Sequence, residues 1–264
     1  MIVPAYLPYY VLTGTIGMIA ALLFGLRSAL RNAGWTTYDR TVTVGAAAIT
    51  VIGWFLLAIA LASADAYRGT ADRIPTIQYG ILVPILIGGL LIWRSPRVAR
   101  IIDAVPQYWL VGVQLYRALG VIFLILYAAG KLPGLFAWPA GLGDVLVGVL
   151  APVVAIAYWR GPRENADLVS AWNLFGLADL VVAVTTGFLT SPSAFQLFAF
   201  DLPNELISQF PLVLVPVFLV PVSVLLHLAS LSKSAGARCA TTTVAKSHAL
   251  RRDPGVFEPQ GLEG

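Results

Sequence analysis

Long apolar segments recur along this sequence, and they restrict the fold more than any other feature does. Several of them reach the roughly 18 residues with which a helix crosses a hydrocarbon core about 30 Å thick. Only 11% of the residues are charged, whereas a soluble domain carries about 25%. The strands of a membrane barrel would alternate apolar and polar residues, and these segments do not. We therefore predict an all-α fold, a polytopic bundle of membrane-spanning helices.

Seven transmembrane helices are predicted, and their short connections imply antiparallel neighbours. Their expected bounds are Leu7–Leu26, Val42–Ala64, Thr76–Trp93, Gln107–Ala129, Pro139–Trp159, Leu168–Thr190 and Phe210–Leu231. Together they make residues 1–231 a single transmembrane domain. Residues 232–264 are rich in small, hydroxyl-bearing and basic side chains, so we expect a disordered basic cytoplasmic tail there.

Basic residues are distributed unequally between the two sides of the predicted bundle. Most of the 17 Lys and Arg residues lie in one set of connections and in the tail, and the opposite set holds only Arg68, Arg73 and Lys131. Cytoplasmic connections carry the excess of positive charge. We therefore expect the N-terminus outside and the C-terminus in the cytoplasm. The same asymmetry accounts for the net charge of +4, so we expect no nucleic-acid partner.

Predicted spans four to seven contain a small set of polar side chains, whereas spans one to three contain no charge. The set consists of Gln114, Arg117, Asp144, Asn173, Asp179 and His227. Charges at membrane depth are costly and usually face the protein interior. With a rise of about 1.5 Å per residue, Arg117 and Asp179 both lie about 15 Å from the inner ends of their spans. We predict that these two pair near the middle of the bilayer.

The other four residues of this set are expected at different heights. Asp144 should lie about 7–8 Å below the outer surface, and His227 about 6 Å above the inner end of its span, level with Asn173. Gln114 fills the interval one helical turn below Arg117. The predicted arrangement is thus a discontinuous polar column that runs from the outer side to the inner side.

Two functions fit this column, and the sequence leaves both open. The first is a small transporter or permease-like protein, whose column passes a proton, a cation or a small polar solute. The second is a non-enzymatic scaffold or sensor subunit, whose buried charges only lock the helices together. A membrane-embedded redox or lipid-modifying enzyme is less favoured, because no catalytic motif supports it.

Several ligand classes are excluded or not expected. A retinal protein needs a Schiff-base lysine in its last span, and no predicted span contains lysine. Haem held by two axial histidines needs two in the membrane, where His227 is alone because His248 lies in the tail. Cys239 is the only cysteine, so no disulfide framework is available within one chain. We predict no cofactor, no metal site and no catalytic residue, and the bilayer itself is the main expected partner.

The stretch "GLFAWPAGLGD", Gly134 to Asp144, joins spans four and five. Pro139 suits the first turn of a helix, where its missing N–H costs nothing. Asp144 then falls in the second turn, where the helix dipole still favours an anion. We interpret the preceding "LFAW" as an apolar interfacial turn, with a lid over the polar column as the alternative. Similarly, the aromatic segment before span seven, residues 191–210, is expected to form a short interfacial helix on the outer face.

The run "QLYRALG…FLILYAAGKLPGLFAWPAGLGD…WNLFGLADL" resembles a group of uncharacterised bacterial multi-pass membrane proteins. The resemblance covers spans four to seven and depends mainly on the pattern R…G-x-L-P-x-x-F-A-x-P-A-G-x-G-D. It implies a membrane protein of bacterial origin, and we expect the inner membrane as its location. It implies no activity, ligand or catalytic residue.

The predicted orientation can be checked with the native Cys239. We expect a membrane-impermeant maleimide to label this residue only after cells are permeabilised, because the tail is predicted to be cytoplasmic. A matched variant carries Cys239→Ser and Asp65→Cys, which moves the thiol to a connection that is predicted to be outside. This variant should react in intact cells, and the reverse pattern would contradict the orientation.

Overall fold

The computed structural model describes residues 3–69 and 76–234 of the chain, and helices are its only regular structure there. These helices are α1 (Leu7–Asn32), α2 (Thr37–Ser63), α3 (Ile77–Arg94), α4 (Pro96–Ala104), α5 (Gln107–Ala128), α6 (Gly134–Arg160), α7 (Ala166–Thr190) and α8 (Val215–Ser234). All except the short α4 are long and apolar enough to cross a membrane. The predicted all-α bundle with seven spanning helices is confirmed for the described residues. The chain is a multi-pass integral membrane protein.

Two helix ends differ from the predicted bounds in ways that matter for the site. α6 begins at Gly134 instead of Pro139, so the apolar "LFAW" segment forms its first turns and Pro139 lies inside the helix. The predicted interfacial turn, and the lid that was its alternative, are therefore both wrong. At the other end of the chain, α8 continues to Ser234, past the predicted boundary at Leu231. The rest of the predicted tail, 235–264, lies outside the described residues.

α4 occupies the predicted inner connection between spans three and four. Ser95 caps its N-terminus, because the Ser95 hydroxyl accepts a hydrogen bond from Val98 N at 3.4 Å, and Pro96 suits the first helical position. At its C-terminal end, the ammonium group of Lys233 donates to three main-chain carbonyls, at 2.7–3.1 Å, which belong to Ile102, Asp103 and Val105. The end of α8 is thereby tied to α4.

The connection between α7 and α8 is irregular, and the predicted interfacial helix is absent from it. Residues 191–205 form turns and bends, followed by a single 3₁₀ turn at Leu206–Ser208. Pro192 and Pro203 lack the N–H groups that a continuous helix needs in its interior. The two ends of the segment meet instead, since Asn204 N donates to Thr190 O at 2.9 Å.

The middle of α5 departs from α-helical geometry. Residues Val113–Gly120 form a 3₁₀ helix between two α-helical parts. A 3₁₀ helix has three residues per turn, so side chains three positions apart lie on one stripe. The buried residues of this segment are Gln114, Arg117 and Gly120. The 3₁₀ geometry thus aligns an amide, a guanidinium and a glycine on the face that meets the other helices.

The first turn of α8 is also irregular. Residues Val215–Leu219 form a π-helical turn that contains Pro216. This turn packs against the long α2, where the rings of Trp54 and Phe55 lie 4.6 Å and 5.1 Å from the ring of Phe218. α1 packs on α5, where the Tyr10 hydroxyl donates to Leu119 O at 2.7 Å. Helices α1 and α2 therefore cover the side of the bundle that holds α5 and α8.

α5 and α6 approach each other closely at Gly148. A Cβ atom built on this glycine would meet the backbone of Ala118 and Arg117 at 3.0 Å or less. Small residues allow this kind of close backbone approach between membrane helices. The position of the 3₁₀ segment, and with it the position of Arg117, therefore depends on a glycine in the neighbouring helix.

Gly148→Ala should destabilise the folded protein by about 1–3 kcal/mol, because the added methyl group meets backbone that has no free space to move into. Gly53→Ala, on the exposed face of α2 with no atom within 4 Å of the new Cβ, is the matched control. It should leave stability unchanged or raise it by up to about 1 kcal/mol through helix propensity. Thermal unfolding in detergent measures both, and equal effects of the two substitutions would contradict the packing argument.

Candidate functional site

The guanidinium of Arg117 lies at the centre of a buried polar cluster. Its Nε donates to Asp144 Oδ1 at 2.8 Å, and its Nη2 donates to Asp179 Oδ2 at 2.5 Å. Its Nη1 donates to the carbonyl oxygen of Gly176 at 3.3 Å. Only 1% of the arginine side chain is exposed, against 13% for Asp144 and 7% for Asp179. One side chain of α5 thus joins α6 and α7 through charge-assisted hydrogen bonds.

The imidazole of His227 adds α8 to this cluster. Its Nε2 lies 3.0 Å from Arg117 Nη1. A guanidinium can only donate, so Nε2 must be the acceptor. The proton of the neutral imidazole then resides on Nδ1, which donates to Asn173 Oδ1 at 2.8 Å. The hydrogen bonds therefore assign His227 to the neutral, Nδ1-protonated tautomer. Arg117, Asp144, Asp179 and His227 are called the charged cluster below.

The amide of Gln114 lies beside the same imidazole, with its Nε2 3.3 Å from His227 Nδ1. Two N–H groups would face each other in this placement, and Gln114 Oε1 would be buried without a partner. The two ends of an amide have nearly the same shape and are assigned from the hydrogen bonds around them. Exchanging them makes Gln114 Oε1 a second acceptor for the Nδ1 proton and removes the contact between two N–H groups.

A line of amides and hydroxyls continues from the charged cluster towards the end of α8. Asn173 Nδ2 donates to Ser230 Oγ at 2.8 Å. Gln107 Nε2 donates to Ser230 Oγ at 2.8 Å and to Ser234 Oγ at 3.1 Å. Hydrogen-bonded groups therefore run without interruption from the charged cluster to the last residue of α8. This end of the bundle is the predicted cytoplasmic side.

All six polar residues that the sequence singled out lie in this network, but the predicted height of Asp144 is wrong. Because α6 starts at Gly134, Asp144 lies in its third turn, about 15 Å from the helix start. That depth places it beside Arg117, whereas a start at Pro139 would have placed it near the surface. His227 also lies deeper than predicted, since it contacts Arg117 directly. The predicted discontinuous column is in fact one connected network.

Three glycines, each on a different helix, leave room for the charged cluster. A Cβ atom on Gly143 would collide with the Asp179 carboxylate, and one on Gly120 would collide with Asp144. A Cβ atom on Gly176 would collide with the imidazole of His227. The cluster is therefore packed tightly on the backbone of α5, α6 and α7. The space beside Gly143 is filled by a side chain of the neighbouring helix.

The sequence analysis did not identify Gln107, Ser230 and Ser234 as members of this network. Ser230 follows His227 by one helical turn, and this spacing was the available signal. Gln107 is the first residue of α5, and a polar residue at the end of a span gives no signal of a role in the interior. Trp172 has its ring 5.0 Å from the imidazole of His227, and its Nε1 donates to Val147 O at 3.3 Å. This buried tryptophan ring therefore covers one side of the imidazole.

The formal charges of the cluster do not cancel. Arg117 carries one positive charge, the ionised carboxyl groups of Asp144 and Asp179 carry one negative charge each, and His227 is neutral in the tautomer assigned above. The sum is a net charge of −1 when both carboxyl groups are ionised. A net charge in a low-dielectric interior is costly, by several kcal/mol even after relaxation. Binding of one additional positive charge would therefore remove this free-energy cost.

Asp144 also borders two cavities. The larger has a volume of about 270 Å³ and lies between α3, α5, α6, α7 and the start of α8. The smaller has a volume of about 40 Å³ and lies between α1, α5 and α8, where Tyr10 and Arg117 contribute to its wall. Among the described residues, Asp144 is the only charged one that lines the larger cavity. Across the described residues, no group of three or more acidic, histidine or cysteine side chains could hold a metal ion.

These observations define the class of protein: an integral membrane protein whose seven spanning helices enclose a charged cluster and an apolar cavity. Residues 74–233 match the family that is described as a domain of unknown function, DUF8737, and the chain belongs to this family. The match includes every residue of the charged cluster and of the larger cavity. No curated protein and no solved structure is significantly similar to the chain.

The assigned tautomer of His227 can be read directly by nitrogen NMR of protein labelled at histidine. We expect one neutral imidazole whose proton resides on Nδ1. We also expect this imidazole to stay neutral at pH 6, because protonation of Nε2 would remove the acceptor of the Arg117 hydrogen bond and place a second cation beside the guanidinium. His227→Gln removes this signal and leaves only that of His248. An imidazolium, or a proton on Nε2, in the wild-type spectrum would overturn the assignment.

Proposed function

We propose that the protein is a small membrane permease that exchanges a proton for a cation at the carboxyl groups of Asp144 and Asp179. The observation that carries this proposal is the sharing of one guanidinium by two buried carboxylates. The excess negative charge is neutralised when a proton binds to either carboxyl group. A cation bound to the cluster neutralises the same charge.

Competition between these two ligands supplies the coupling. A cluster that has bound either ligand is neutral, whereas a cluster that has bound both carries a net positive charge in a low-dielectric site. Each ligand therefore weakens binding of the other, and this mutual effect is reciprocal by thermodynamic necessity. Exchange of one ligand for the other is the behaviour that a coupled permease requires.

The surroundings of the cluster support access from both ends of the bundle. On one side, Asp144 borders the larger cavity, which extends to the connection after α7. On the other side, the line of amides and hydroxyls reaches Ser234. With the N-terminus outside, as the charge distribution predicts, the cavity faces outward and the polar line faces the cytoplasm. A bacterial inner-membrane location belongs to the same proposal.

The second candidate is a scaffold or sensor subunit in which the cluster only locks helix packing. One observation favours it: Arg117 contacts α6, α7 and α8 at once, so removal of its guanidinium breaks the contacts of four helices. Buried ion pairs often confer structural specificity without any transport role. In this case neither carboxyl group would exchange a proton during function.

The charge argument makes a spectroscopic prediction about the cluster that holds for both candidates. In the wild type, infrared spectroscopy with isotope-labelled aspartate should detect a protonated carboxyl group in the membrane domain, because one proton neutralises the cluster. Asp144→Asn and Asp179→Asn should each abolish this band, since the remaining carboxylate and Arg117 then balance. Asp201→Asn, in the exposed connection before α8, is the control that should retain it.

Exchange is measured in the same set of variants. Proteoliposomes with an internal acid load receive sodium, potassium or choline chloride in turn, and a pH-sensitive dye reports proton efflux. We expect at least one cation to drive efflux in wild type and in Asp201→Asn, but not in Asp144→Asn or Asp179→Asn. No efflux with any cation, together with normal folding of all four proteins, would refute the permease and favour the scaffold.

A further inference from the structure

We propose that the larger cavity binds an amphiphilic monocation, with an ammonium group at the Asp144 carboxylate and an apolar body between α3 and α7. This inference rests on the proposed function and names the substrate class of that site. It requires a cavity of suitable size, an apolar wall, charge at one end only, and a route of entry. The structure supplies each of these features.

The volume of the cavity limits the ligand to a small molecule. Its volume is about 270 Å³, just below the range of about 300–1,000 Å³ that is typical of ligand sites. Its lining runs from Asp144, at the level of the charged cluster, to Ser191, just after the end of α7. Asp179 lies at the level of Asp144, because both carboxylates bind Arg117. From Asp179 to Ser191 the distance along the helix is about 18 Å. The cavity is therefore narrow and elongated along the bundle axis.

The wall of the cavity is almost entirely apolar between its two ends. Aromatic side chains of Phe123, Phe136 and Phe188 contribute to it, together with aliphatic side chains of α3, α7 and α8. The remaining polar lining residues are uncharged, and they lie towards the end that is opposite to Asp144. These are Gln78, Thr185 and Ser191. A ligand with one charged end and an apolar body matches this distribution.

The charge at the closed end selects the sign and the valence of the ligand. With both carboxyl groups ionised the cluster carries −1, so one ammonium group brings it to zero. A bound anion would change the net charge from −1 to −2, and a bound dication would change it to +1. Either net charge is costly in a low-dielectric interior. No described residue donates a hydrogen bond to Asp144 Oδ2, since the Arg117 Nε bond is made to Oδ1. An ammonium N–H can therefore use this oxygen.

A lateral route of entry is available between α3 and α7. Leu82 on α3 and Thr185 on α7 both line the cavity and are exposed at the surface of the described part of the chain. The cavity thus reaches the surface that faces the lipid. Amphiphilic amines concentrate in the bilayer, where their apolar parts are buried. Such a ligand can reach Asp144 directly from the bilayer, through the apolar cavity.

Binding of matched probes to the full chain in lipid nanodiscs tests this inference. The probes are phenylbutylammonium, phenylbutanol and phenylbutyrate, which share one apolar body and differ in charge. Isothermal titration, with empty nanodiscs as the baseline for partitioning, should show saturable binding of the ammonium compound, at least about tenfold tighter than the alcohol. The carboxylate should not bind. Equal affinity for the ammonium compound and the alcohol would overturn the proposal.

Two alanines of α7 provide matched variants. Ala183 lines the cavity, whereas Ala178 is exposed on the outer face of the same helix. Ala183→Phe should weaken ammonium binding by about tenfold or more by filling the cavity, and Ala178→Phe should not change it. Ala183→Leu serves as a smaller substitution should the phenylalanine variant fail to fold. Unchanged binding in a folded Ala183 variant would overturn the proposal.

Failure of this inference is distinguishable from failure of the proposed function. The methyl group of Ala183 makes no hydrogen bond to the side chains of the charged cluster, so its variants should keep the infrared band of the protonated carboxyl group. Cation-driven proton efflux without ammonium binding would retain the permease and reject this substrate class. Ammonium binding that is lost in Ala183→Phe, without any proton efflux, would retain the site and reject the exchange.

Discussion

The ion pairing of Arg117 with two carboxylates in the buried interior of the bundle is the interaction on which the rest of the structure depends. An isolated charge at this depth costs about 2.5–3.5 kcal/mol on insertion scales, so each of the three groups requires the others. Their helices, α5, α6 and α7, must therefore meet at one height. His227 adds the same requirement for α8, because its Nε2 accepts from the guanidinium.

The backbone of the surrounding helices is adapted to this requirement. The 3₁₀ segment of α5 directs Gln114 and Arg117 to the same side, which an α-helix would separate by about 60°. Glycines at 120, 143 and 176 leave the volume that the charged side chains occupy. Helices α1 to α3 carry no part of the cluster. They cover α5 and α8, and α3 also forms one wall of the larger cavity.

Much of the candidate site followed from the sequence, and the errors have a common cause. The six polar residues were identifiable because a charge or amide inside an apolar helix is rare and costly. The equal depth of Arg117 and Asp179 followed from helix rise alone. Asp144 was placed too near the surface because "LFAW" was interpreted as a turn before Pro139, although a proline is tolerated within a membrane helix. An error in the start of one helix displaced its carboxylate by more than one turn.

The sequence by itself determined the class of protein and the number of spanning helices, because hydrophobic length and the cost of unsatisfied backbone in lipid leave no alternative. It also determined which side chains had to be buried together. Only the tertiary structure decided that two carboxylates share one guanidinium, that His227 accepts from it, and that an apolar cavity ends at Asp144. Those features depend on the rotation of each helix about its axis and on non-α turns within α5 and α8. Contacts with residues distant in the chain determine both the helix rotations and the non-α turns. No local pattern in an evenly apolar segment predicts either of them.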